Sequence, residues 1–276
     1  MKKIIILIGL VTIAIFLAWP TTKSVISFRH TYSRVLRDEE SITIPLMIRG
    51  NHEIIDMNNI QTIRIVNDDY VISGTLQEIV SGDEYYYQND KYVAYYFGLL
   101  FDCFEKTIID NAYFEISTDS NTYSYLIGDF CIAPYFENDI SVFEEMAILN
   151  TVNGEEKIVG IYLGLENNSI NDINVDDIEI ISPNIKVELN ELSVGESDIS
   201  MFSSISDYTG NDTLKVPSEG RVHVLIPITY DGFYLNRFGI ILSAGDERYV
   251  IDDFMFVNEG YFPDQILSTA KVYSID

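Results

Sequence analysis

Cationic residues are scarce in this chain of 276 residues: 17 Lys and Arg stand against 43 Asp and Glu, a formal charge of −26. That deficit excludes nucleic acid as a direct partner, because phosphate binding needs a basic face. It also opposes close approach to anionic lipid, except near Lys23, Arg29, Arg34 and Arg37. Cysteine is nearly absent too, with two residues. Two thiols are too few for a disulfide-dense fold or a four-ligand zinc site. The single Trp leaves no Cys…Trp…Cys spacing of a true immunoglobulin domain. Histidine is limited to His30, His52 and His223. No Gly-x-Ser-x-Gly elbow, His-Glu-x-x-His pair, phosphate loop or EF-hand spacing occurs, and no cofactor is implied. The chain therefore reads as a non-enzyme.

A sustained 3.6-residue period is missing beyond the N-terminus. A period of two takes its place. Ile42, Ile44, Leu46 and Ile48 alternate with Ser41, Thr43, Pro45 and Met47. Val222, Val224, Ile226 and Ile228 alternate in the same way, as do Ile185, Val187 and Leu189. Such alternation places each apolar set on one face of a strand. Gly, Asn, Asp and Ser clusters bound these runs, as turns do. The segments 26–36 and 141–150 are read as strands as well.

The chain also repeats itself. YLIGDF at 125–130 matches YVIDDF at 249–254, each followed by a Tyr-Phe pair, at 135–136 and 261–262. Weaker matches run in the same order: 26–28 with 140–142, 39–42 with 155–158, 57–60 with 175–178, 76–84 with 189–197, and 92–104 with 221–233. The offset drifts only between about 113 and 130 residues, as loop insertions cause. The expected fold is all-β: two tandem Ig-like antiparallel β-sandwich domains related by internal duplication, after an N-terminal apolar helix. The expected boundaries are 1–24 for a signal anchor or signal peptide, 25–136 and 137–264 for the sandwiches, and 265–276 for a C-terminal tail. The junction near 134–139 is short, so the two modules are expected end to end with limited bending.

Met1-Lys2-Lys3 precedes an apolar run from Ile4 to Trp19, ended by Pro20. Basic residues, an apolar stretch and then polar sequence make an export signal. No good small-residue cleavage site follows. The reading is a single-pass anchor with the body outside the cytoplasm, the alternative being secretion after cleavage. The Lys-rich start has a bacterial style.

Four groups of candidate residues remain. Acidic pairs at Asp176-Asp177 and Asp252-Asp253, with Asp68-Asp69, Asp172 and Asp246, are weak calcium candidates, since a hard cation needs six to eight converging oxygens. Asp129 repeats Asp253 and is expected to accept backbone hydrogen bonds rather than bind metal. The Tyr-rich hairpin Tyr85, Tyr86, Tyr87, Tyr92 and Tyr95 offers rigid contact area for a sugar or a peptide. Strand alternation would split these rings between two faces. Cys103 and Cys131, both in the first copy, are a disulfide candidate that export permits. A polar insertion, 196–220, distinguishes the second copy.

These features lead to a membrane-tethered extracytoplasmic scaffold that binds another protein at the membrane or cell surface. The alternative is a carbohydrate-binding surface or wall protein using the Tyr-rich hairpin. A glycan hydrolase with an unrecognised carboxylate pair is the second alternative.

Overall fold

The period-two runs at 41–48 and 222–228 become strands, while the third is a strand only over Ile185–Val187 and breaks into a single turn at Leu189. The computed structural model describes residues 23–37, 40–137, 139–152, 155–195, 213–230, 237–255 and 267–275. Within them the chain is nearly all β. No helix among the described residues is long and apolar enough to cross a membrane. The run Ile4–Trp19 lies outside the described residues.

The first lobe contains β1 (Lys23–Ser27), β2 (His30–Leu36), β3 (Ser41–Arg49), β4 (Ile60–Val66), β5 (Val71–Tyr87), β6 (Asp90–Phe101), β7 (Thr107–Thr118) and β8 (Thr122–Pro134). They form one sheet in the order β1-β3-β6-β5-β4-β7-β8-β2. Ile42, Ile44, Leu46 and Ile48 of β3 face one core with Phe97 and Leu99 of β6, Phe114 and Ile116 of β7, and Ile127 and Phe130 of β8. One sheet surrounding one core must curl, and its right-handed twist supplies the curl. Burying each such side chain contributes about 1.5–3 kcal/mol. Long β5 keeps the sheet continuous. Its first residues pair with β4 and the rest with β6.

The pairing of β2 with β8 is parallel, from His30↔Gly128 to Leu36↔Pro134. Gly128 is required there. Its φ is +101°, and a Cβ would collide with the His30 backbone.

The second lobe contains β9 (Ile140–Val152), β10 (Glu155–Asn167), β11 (Ile173–Asn174), β12 (Asp177–Ile180), β13 (Ile185–Val187), β14 (Ser193–Gly195), β15 (Lys215–Val216), β16 (Arg221–Tyr230), β17 (Arg237–Ala244) and β18 (Glu247–Met255). Two sheets face each other here: β13-β16-β10-β9, with β14 also on β16, and β12-β17-β18. Between them lies a core of Ile161, Leu163, Val224, Ile226, Phe238, Ile240 and Leu242. The sheets stay separate because the described stretch between β12 and β16 is broken into β13, a single turn at Leu189–Glu191, β14 and β15. Among the described residues no strand as long as β5 joins them.

A last strand, β19 (Lys271–Ile275), pairs with the outer edge of β1, from Lys23↔Ile275 to Ser27↔Lys271. Residues 271–275, expected as a tail, are thus part of the first sheet.

The lobes are stacked in layers rather than strung end to end. The outer face of the β12-β17-β18 sheet presents Ile181, Ile241 and Val250 to Val35, Cys131 and Ala133 of β2 and β8. This explains why β17 reads Phe-Gly-Ile-Ile-Leu without alternation. Both of its faces are covered, and such strands read as continuous apolar runs. The approach is close: a Cβ on Gly239 would collide with Val35 and come within 2.9 Å of Ile181. Hydrogen bonds from Ser33 to the Ile181 carbonyl, and from Asn184 to Asp129 at 2.6 Å, complete the junction.

Candidate binding cleft at the junction

The edge of β9 to which no described strand pairs opens onto a cleft between the lobes. Arg37 just past β2, Tyr135 just past β8, residues 140–145 of β9, and Val250 and Ile251 of β18 line about 470 Å3. Clefts at domain interfaces are favoured sites for ligands. Ile140 and Ile251 belong to the second core, and Val142 packs against it, while the exposed lining of the cleft is mostly polar. At one end the Arg37 guanidinium lies 4.2 Å over the Tyr135 ring.

A β-bulge shapes the other end. Val142 pairs with Leu165, and Glu144 with Gly164, which leaves Phe143 as an extra residue. Bulges re-aim side chains in this way. The Phe143 ring crosses the strand where Gly164 has no side chain; a Cβ there would lie 2.7 Å from it. Arg221 stacks on Phe143 at 4.9 Å and pairs with Glu166 at 3.0 Å. His223 meets Phe143 edge-on at 5.4 Å and stacks on Tyr162 at 5.6 Å. The Tyr162 hydroxyl donates to Glu144 at 3.2 Å and is hydrogen-bonded to His223 Nδ1. With its one proton committed to Glu144, that hydroxyl accepts from His223. The cluster thus fixes Glu144 on the outer face, while Glu145 pairs across from core-facing Leu163.

The sequence candidates fare differently. The tyrosines divide. Tyr92 is 3% exposed and hydrogen-bonds Ser24 at 3.0 Å. Tyr85 and Tyr87 pack beside Tyr92 with Leu267 and Ala270. Tyr95 packs on the first core, on the other side of the sheet. Tyr86 alone of the five is widely exposed, at 75%. No flat platform of three rings forms among them.

The disulfide expected between Cys103 and Cys131 is not formed; both thiols are free. Cys103 packs against the first core, and Cys131 lies in the junction layer. Because Phe130 and Ile132 face the first core, Cys131 between them faces away, and the sheet separates the two sulfurs. Burial pushes the Cys103 thiol up to about 11, and that of Cys131 higher still.

Asp176, Asp172 and Asp129 are engaged as turn and junction groups. Asp176 accepts from the Gly245 N–H at 2.9 Å. Asp172 accepts from Ser218 N–H and pairs with Lys215 at 2.6 Å. Asp177 opens β12 and is exposed. Asp252 and Asp253 lie in β18, and their side chains fall outside the described residues. Asp129 accepts the Asn111 N–H at 3.2 Å, as expected of it. Burial raises its pKa. Among the described residues no three His, Cys, Asp or Glu form a group that could hold a metal. Residues 196–212 of the polar insertion lie outside the described residues, and Lys215–Val216 pairs with Ile173–Asn174.

Sequence reasoning missed Phe143, Glu144 and Tyr162. A signal was present: Gly160 and Gly164 inside an otherwise β-rich run mark bulges or close approach.

No protein-family model matches the chain, and no curated protein does. Two solved structures are similar at low score. BspA_C_WT aligns over 83% of this chain and 98% of its own, with 6% identity and a TM-score of 0.22. The Streptococcus agalactiae AgI/II polypeptide BspA C terminal domain aligns over the same shares, with 7% identity and a TM-score of 0.22. A score of this size does not establish a common fold.

Proposed function

We propose that this chain is a non-enzymatic binding and scaffold protein. Residues 4–19 hold it at the membrane, its two lobes lie outside the cytoplasm, and the junction cleft engages another protein. One observation carries the reading: a cleft between the lobes, mostly polar in its exposed lining, runs along a sheet edge to which no described strand pairs. Sheet edges and interdomain clefts are common recognition surfaces. The stacked layers hold the two walls of the cleft in fixed relation, which lowers the ordering cost of binding.

In this reading the lobes are two copies of one Ig-like pattern. Strand order supports it: β1-β3-β6-β5 parallels β9-β10-β16-β14, and β4-β7-β8 parallels β12-β17-β18. Tyr125 and Tyr249 occupy the last strand of each series, opposite the core residues Phe114 and Leu242. The distribution of the tyrosines favours a protein partner over a glycan.

Photo-cross-linking in intact cells tests the proposal. A photoreactive phenylalanine analogue at Phe143 is expected to give a protein adduct. The same analogue at exposed Tyr70, in the β4–β5 turn, is expected to give none. Adducts to glycan alone, or equal capture from both positions, would overturn it.

A further inference from the structure

The β5–β6 hairpin ends in a tight two-residue turn. Gln88 and Asn89 both take left-handed φ, +51° and +71°, a turn whose twist matches that of the strands and lets them pair to the tip. Tyr85 and Tyr87 root the hairpin beside Tyr92, Leu267 and Ala270. Tyr86 between them points the other way and is 75% exposed. One exposed ring means little by itself. Its place in the fold gives it meaning. Ser24↔Arg49 and Ile48↔Val93 bring Lys23 level with Lys91, which is paired with Tyr86. The turn at Gln88 and Asn89 therefore projects about 7 Å past Lys23, at the rise of a strand. From Trp19, the last residue of the apolar run, to Lys23 is four residues, at most about 14 Å of extended chain. The hairpin tip is thus within reach of any surface that the run enters. Charge points the same way. The chain carries −26, yet at the tip Lys23, Arg49 and Lys91 offset Asp83, Glu84 and Asp90, with Arg49 paired to Asp90 and Lys91 to Glu84. The neighbouring loops carry Glu53, Asp56 and Asp119, which hold the rest of that end away from anionic lipid.

We infer that the tip of this hairpin, Tyr86 first, lies in the headgroup layer of the membrane that residues 4–19 enter. This rests on the reading of those residues as the tether. Tyrosine is favoured at that depth because its ring is apolar while its hydroxyl stays wet. Tether and hairpin together give the body two points of contact, which limits its tilt. β1 and β2 run in succession and in one direction away from Lys23, and Arg37 just past β2 lines the cleft. The same seating therefore turns the cleft away from the bilayer.

Depth-dependent quenching in phosphatidylcholine vesicles tests it. The full chain is used with Trp19→Phe, which removes its one native Trp. Tyr86→Trp then reports on the tip. Tyr70→Trp, exposed in the turn at the opposite end of β5, is the control. Both variants are checked for an unchanged circular dichroism spectrum. With lipids brominated near the top of the acyl chain, Tyr86→Trp is expected to lose roughly twice the fraction of emission that Tyr70→Trp loses, because it sits at the interface. Bromine near the bilayer centre is expected to quench it less. In chains that float with the vesicles, equal quenching at the two positions, or stronger quenching from the bilayer centre, overturns the inference and leaves the tether standing. Capture of protein rather than lipid by a photoreactive analogue at Tyr86 in cells overturns it too. Chains that fail to float with the vesicles remove the tether reading itself, and this inference with it.

Discussion

Glu53→Gln offers a test of how the base of the first lobe is closed. Two single turns, Glu53–Ile55 and Met57–Asn59, cover that core and bury Ile54 completely. They are tied to the β7–β8 turn through one carboxylate. Glu53 accepts from Tyr123 Oη at 2.6 Å, Ser120 Oγ at 2.9 Å, Thr118 Oγ1 at 3.0 Å and Asn121 Nδ2 at 3.3 Å. These donors, Tyr123 foremost, hold its pKa down from 4.5 to about 2. At face value that depression is worth about 3 kcal/mol at neutral pH. The carboxylate is within reach of water, so screening reduces the figure to about 1–2 kcal/mol.

The sign follows from the depressed pKa. The stabilisation is complete above about pH 5, where the unfolded carboxyl is ionised, and fades as pH falls toward 2. About two-fifths of it survives at pH 3. Urea unfolding of the full chain in detergent, followed by circular dichroism, should show Glu53→Gln less stable by about 1–2 kcal/mol at pH 7. The gap should roughly halve at pH 3. A gap below about 0.3 kcal/mol at pH 7, or one unchanged between the two pH values, would refute the reasoning, since surface changes outside such networks stay near that size.

Gly239→Ala drives a methyl into Val35 and should cost about 1–3 kcal/mol. Val35→Ala in the same chain should recover part of that loss, measured as the urea midpoint of the double variant against each single one. Gly128→Ala has no such escape, because its clash is with backbone. It should cost more than about 3 kcal/mol or abolish folding, read by circular dichroism. A thiol reagent should titrate Cys103 slowly in the native chain and leave Cys131 untouched until denaturant is added. Mass spectrometry without reductant should find no bond between them. His30 is buried, and burial with Arg34 nearby lowers its pKa to about 3. Its neutral form is the folded one, so its contribution should be intact above about pH 6.5 and lost as pH falls toward 3, and His30→Gln should flatten that part of the stability profile.

The strand content was legible because β3 and β16 cover one face with apolar side chains and leave the other half-open, which writes a period of two into the sequence. β17 wrote no such period, since the second lobe covers one face and the first lobe the other. The stacked arrangement was therefore hidden in strands that broke the pattern, β17 and the end of β8. β19 was illegible for another reason. Its partner β1 lies about 250 residues away, and no local propensity announces a pairing of that range. The tyrosines misled as a cluster in sequence. Only alternation decides their faces, and it gave Tyr92 to one side of the sheet and Tyr95 to the other. The cleft was not legible, because the bulge that shapes it depends on two glycines whose meaning needs the register.

In the proposed tethered arrangement, force enters the body through β1. That strand is flanked on both sides, by β3 and by β19, so a pull along it shears several main-chain hydrogen bonds together instead of opening them singly. Side chains from the far end of the sequence reinforce the clamp. Thr269 Oγ1 accepts from the Arg29 N–H at 3.0 Å and donates to its carbonyl at 3.1 Å, and Tyr273 Oη accepts the Leu126 N–H at 2.8 Å. β19 thus gives β1 a second wall.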